Sequence, residues 1–70
     1  MTEVQSEWRG PTVRRMLVGA QLRRLRTDMG LSREEAAEAI RASEWKIHRL
    51  ENGKVGFKER DIIDLLRLYG

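Results

Sequence analysis

Seventy residues with 40% apolar content make one small domain, whose core holds only about 15 to 20 side chains. The absence of cysteine excludes a disulfide framework, a thiolate nucleophile and a Cys-based zinc site, and one histidine, His48, is too few for a His-rich metal site. No apolar run approaches the roughly 18 to 20 residues of a membrane span, and no signal peptide opens the chain. What remains is a soluble, helical, basic domain, too small for most enzyme clefts and of a common size for a binding module. No cofactor is expected.

The net charge of +3, with a pI near 10.0, is unevenly placed. Residues 12–30 carry a net +4 and residues 43–58 a net +2, while 1–11, 31–42 and 59–70 are each −1. Two separated basic segments are what a polyanion-binding surface requires. Eleven of the 14 basic residues are arginine, the better bidentate partner for phosphate and guanine.

Residues 1–11 are polar and aperiodic apart from Trp8, and Gly10-Pro11 closes them off, so a mobile N-terminal arm is expected there. Trp8 would be inert in such an arm, or would follow those arms of DNA-binding domains that enter the minor groove. Thr12 stands where an N-cap belongs. Val18, Leu22, Leu25 and Met29 then line one face of a first helix, Met16 and Leu17 extend its apolar surface, and Gly30 ends it.

The second helix opens with the capping box Ser32-Arg33-Glu34-Glu35, preceded by Leu31 as a hydrophobic staple for Ala36. It stops near Ile40. Ser43 caps a third short helix, Glu44 to Glu51, ended by Asn52-Gly53. After a loop containing Lys54, Val55, Gly56, Phe57 and Lys58, a fourth helix places Ile62, Leu65, Leu66 and Tyr69 on its core face, with Ile63 and Leu68 off it. Two short helices joined by three or four residues cross steeply. Ala37 supplies the small residue that such a crossing needs, and Ile40, Ile47 and Leu50 supply the apolar anchors. This is the helix-turn-helix pattern, at about residues 33–52.

Over roughly residues 18–70 the chain resembles the lambda/434 repressor and Cro type (XRE-type) helix-turn-helix family. The resemblance rests on Leu22, Leu25-Arg26, Gly30-Leu31-Ser32, Ala37, Ile40, Ile47 and above all Leu50-Glu51-Asn52-Gly53. From Val13 to Leu68-Tyr69-Gly70 the chain is also similar to the N-terminal module of larger actinobacterial regulators. The resemblance implies an all-α, compact, four- to five-helix domain over 12–70 that docks its third helix, about 44–52, in the DNA major groove. It implies homodimers on half-sites about one helical turn apart. It also implies a bacterial cytoplasmic, nucleoid-associated location, and a C-terminal effector domain or small protein partner missing from this chain.

Carried over residue by residue, the family's base-reading positions fall on Ser43, Glu44, Trp45 and Arg49. The Arg49 fork suits guanine O6 and N7. Glu44 would accept from a cytosine amine or orient Arg49, and Trp45 would contact a thymine methyl or stack on sugar. Arg33, Lys46, Lys54 and Lys58 fall where phosphate contacts are expected, and Arg26 and Glu51 match a structural pair. The turn carries Arg41 where the family often has glycine, so either Arg41 adopts a left-handed backbone or the turn takes another shape.

The arginines of the first helix read first as a solvated face, some of them close enough to phosphate to help, and His48 as a surface residue ahead of a titrating phosphate contact. Catalysis lacks a nucleophile–base pair, a metal cluster and a phosphate-cradling glycine loop. The resulting expectation is a sequence-specific double-stranded DNA-binding transcriptional regulator. Its main rival is a protein-interaction module, an antitoxin-like adaptor docking through the outward face of the third helix, with Trp45 and Arg49 as hot spots. A basic helix on an anionic membrane is the poorest reading, because the first helix lacks a bulky aromatic face.

Overall fold

The computed structural model describes residues 10–70, so Trp8 and all of the expected arm except Gly10 and Pro11 lie outside the described residues. The order is α1 (Pro11–Asp28), α2 (Arg33–Ala39), α3 (Glu44–Glu51) and α4 (Glu59–Tyr69), with no strand among the described residues. The fold is all-α.

Each helix start has a local cause. α1 begins at Pro11 with Gly10 as its N-cap, which displaces the cap expected at Thr12. Proline suits the first helical position because its φ is already helical and its missing N–H has no partner to lose there. In α2 the Ser32 hydroxyl accepts from the Glu35 amide at 3.1 Å while the Ser32 amide donates to Glu35 Oε1 at 3.1 Å, a complete capping box. In α3 the Ser43 hydroxyl accepts from the Lys46 amide at 3.2 Å. α4 starts without a side-chain cap, but Glu59 and Asp61 place negative charge in its first turn.

α1, α2 and α3 all end in the same hydrogen-bonded reversal. Leu31 N donates to Arg26 O and Gly30 N to Thr27 O; Ala42 N donates to Ala37 O and Arg41 N to Glu38 O; Lys54 N donates to Arg49 O and Gly53 N to Leu50 O. These are paired 6→1 and 5→2 bonds, the Schellman geometry, which needs a left-handed residue just past the cap. Gly30 and Gly53 take that role at φ 70°, and Arg41 takes it at φ 53°. The turn therefore keeps its usual shape and carries a non-glycine residue in it.

The core is formed by Leu22, Ala36, Ala37, Ile47, Leu50, Leu65 and Tyr69, with Leu25, Leu31, Ile40, Val55, Phe57 and Leu68 packed around it. Two expected faces are rotated. α1 buries Gly19, Leu22 and Arg26, whereas Met16, Leu17, Val18 and Met29 are exposed. Gly19 faces the end of α3, where an added Cβ would overlap the Leu50 carbonyl and lie 2.7 Å from the Glu51 carbonyl. Helix-on-helix approach that close admits only glycine, so this line of α1 is the one turned inward. On α4 the buried line is Asp61, Leu65 and Tyr69. Leu68, three residues from Leu65, therefore packs inward, and Leu66 turns out at 45% exposure.

Candidate nucleic-acid interface

α3 divides cleanly around its axis. Ile47, Leu50 and Glu51 point into the domain, while Ser43, Glu44, Trp45 and Arg49 are exposed. The four residues expected to read bases are thus all exposed: Trp45 and Arg49 four apart on the side away from Ile47 and Leu50, Glu44 in the first turn and Ser43 at the N-cap. Ser43 Oγ already accepts the capping bond, which leaves its O–H to donate outward. Glu44 makes no ion pair with Arg49 among the described residues. The two are five residues apart, beyond the three or four that bring helical side chains together.

Glu51 anchors α3 to α1. Its carboxylate accepts from Arg26 Nε at 2.6 Å and from Arg26 Nη2 at 3.0 Å, and Arg26 Nη1 donates to the Leu31 carbonyl at 2.8 Å. Both side chains are almost fully buried. A bidentate fork satisfying both carboxylate oxygens is the geometry that offsets the cost of burying the charges. The hydrogen bond to Glu51 raises the Arg26 pKa above its already high ordinary value, against the opposing effect of burial. Tyr69 lies in the field of the same pair. Burial, then the charge of Glu51, pushes its phenol up to about 12, with Arg26 opposing, and its hydroxyl has no hydrogen-bond partner.

The expected phosphate contacts are less uniform. Arg33, at the start of α2, is half-buried with Nε 3.8 Å from Glu51 Oε1. Its charge therefore shares the Glu51 carboxylate with Arg26. Lys46 is also half-buried, and its Nζ lies 3.7 Å from Asp61 Oδ2 in the first turn of α4. A phosphate contact by Lys46 would have to compete with that carboxylate, which no local pattern in the chain places nearby. Lys54 and Lys58 are exposed on the segment joining α3 to α4. His48, expected as a plain surface residue, is half-buried and stacked on Trp45; the signal available in the sequence was their spacing of three on a helix.

A family model described as a helix-turn-helix domain matches residues 17–70. The chain belongs to that helix-turn-helix family. No curated protein and no solved structure matches it. The matched segment holds most of α1 and all of α2, α3 and α4, including both helices of the motif and the turn through Arg41. Membership of this helix-turn-helix family points to DNA as the partner class. Among the described residues, no helix is long and apolar enough to cross a membrane, and no group of three or more His, Cys, Asp or Glu could hold a metal ion.

Proposed function

We propose that this helix-turn-helix domain is a sequence-specific double-stranded DNA-binding transcriptional regulator of the XRE type, with α3 entering the major groove. The observation that carries this reading is the division of α3: Ser43, Glu44, Trp45 and Arg49 stand together in solvent while Ile47, Leu50 and Glu51 fix the helix from behind. Ser43, Glu44, Trp45 and Arg49 read base edges, with Arg49 on guanine. Arg33, Lys54 and Lys58 set orientation on phosphates, and Lys46 joins them when phosphate displaces Asp61. Arg26 and Glu51 hold α1 and α3 in register. Binding as a homodimer would join two half-sites and add affinity that one domain lacks.

A random-duplex selection tests this, run with the wild-type chain and Arg49→Ala at two salt concentrations. A short enriched motif with a guanine that relaxes in Arg49→Ala supports direct readout. Salt-sensitive binding without a motif reduces the reading to general DNA binding. No binding at low salt rejects DNA as partner. It would favour the protein-interaction reading, for which the 65% exposed Trp45 is the natural anchor.

A further inference from the structure

The least expected contact on the outer side of α3 is between two rings. Trp45 and His48 stack with centroids 5.4 Å apart and planes inclined by 22°. One turn further on, Asn52 Nδ2 donates to the His48 carbonyl at 2.7 Å and lies 3.5 Å from His48 Nδ1. Asn52 is itself the C-cap of α3, so its side chain is tied to the helix end. A ladder of Trp45, His48 and Asn52 therefore runs along one side of α3, and Trp45 and His48 line a shallow pocket with Arg33 and Glu44.

A lone exposed tryptophan loses side-chain freedom when it binds. One already stacked has lost that freedom beforehand and presents one orientation. An indole plate held this way distinguishes pyrimidines. Thymine offers it a 5-methyl group to cover, whereas cytosine offers an amine donor that a flat apolar surface would strip of water without replacing the bond.

We propose that His48 is a positioning residue, holding the Trp45 indole as a fixed apolar plate so that the base beside the Arg49 contact is chosen by a pyrimidine 5-methyl group. This rests on the DNA-reading function above and commits Trp45 to the base methyl over the sugar.

The test measures affinity for the selected duplex with thymine, uracil, cytosine or 5-methylcytosine at that position. The proteins are the wild-type chain, His48→Ala, His48→Gln and His48→Phe, each checked for a cooperative melt. Wild type should favour each methylated base over its unmethylated counterpart by about fivefold or more, since one methyl in an apolar contact carries at least that order of selectivity. His48→Ala and His48→Gln should lose that preference while keeping the guanine preference of Arg49, and His48→Phe, which restores a planar ring, should regain it. Nuclear Overhauser contacts between the two rings should be present in the free protein.

A methyl preference that survives in His48→Ala or His48→Gln, or that His48→Phe fails to restore, overturns the proposal while the DNA reading stands. So does a wild type indifferent to the methyl group, or a free protein without ring contacts. A wild-type chain that enriches no motif removes sequence-specific reading and this inference with it, and one that binds no DNA at low salt removes the DNA reading itself.

Discussion

Arg26 closes a two-pronged hydrogen bond on Glu51 across 25 residues of sequence, at 2.6 and 3.0 Å, with both side chains buried. That pair joins the last turn of α1 to the last residue of the helix proposed to read DNA. Removing one member leaves the other charged and without water. Arg26→Ala and Glu51→Ala should each destabilise the domain by about 3 kcal/mol or more, enough to unfold much of a chain of this size. Arg26→Met with Glu51→Leu together should cost far less than the sum of the single changes, because no orphan charge remains. Urea melts of the three variants check this; additive losses would mean that the two residues act independently.

Tyr69 predicts a dependence on alkaline pH. Its phenol is raised to about 12 in the folded state from an ordinary value of 10.0. The folded state thus keeps its proton longer than the unfolded chain does. The stability this provides is fully present below pH 10 and is lost as pH rises from 10 through 12, with a limiting slope of about 1.4 kcal/mol per pH unit. Tyr69 is the chain's only tyrosine, so Tyr69→Phe should remove this component. Because the hydroxyl is buried without a partner, the same change should be neutral or stabilising by about 1 kcal/mol at pH 7. Denaturant midpoints for the two proteins between pH 7 and 11.5 decide both points.

The helix-turn-helix was legible because its signals are local. The capping box at Ser32, the cap at Ser43, the small Ala37 and the stop at Asn52-Gly53 each act within one or two turns, and α2 and α3 begin and end where those residues place them. The outward position of Trp45 and Arg49 follows from the same periodicity, whereas Ser43, four residues before Ile47, is exposed because it is the N-cap. α1 was harder. An apolar stripe through Val18, Leu22, Leu25 and Met29 ignores glycine and arginine, yet Gly19 and Arg26 are what α1 buries beside Leu22, because their partners lie on α3. Leu66 and Leu68 differ by two positions on α4, and only the packing of Asp61, Leu65 and Tyr69 decides which turns inward. The Lys46–Asp61 approach is likewise tertiary, and it qualifies Lys46 as a phosphate ligand.

Gly19 yields a prediction opposite in sign to helix propensity. On propensity alone, Gly19→Ala inside an 18-residue helix should gain about 1 kcal/mol. Its new methyl would lie 2.7 Å from the Glu51 carbonyl and overlap that of Leu50, and both are backbone atoms that cannot swing aside. The expected result is a net loss of about 2 kcal/mol as α1 is pushed off α3. Gly30→Ala provides the contrast. An added methyl there meets nothing within 4 Å, so only the left-handed backbone at φ 70° is strained, at about 1 kcal/mol. Thermal melts should rank wild type above Gly30→Ala and Gly30→Ala above Gly19→Ala.

Arg41 is where the domain can be stabilised by one substitution. At φ 53° it is the one non-glycine residue with positive φ among the described residues, and it occupies the position that Gly30 and Gly53 fill at the ends of α1 and α3. A side chain in that conformation costs roughly 1 to 2 kcal/mol. Glycine removes the strain but gives the unfolded chain more freedom, worth about 0.4 to 1 kcal/mol in the other direction. The net expectation for Arg41→Gly is a gain of about 0.5 to 1 kcal/mol, which for a domain of this size raises Tm by a few degrees. Arg41→Ala separates backbone strain from charge. It deletes the guanidinium but keeps the Cβ, so it should not gain stability, and a gain equal to that of glycine would mean that the arginine's charge, and not its backbone, was the unfavourable feature of the turn.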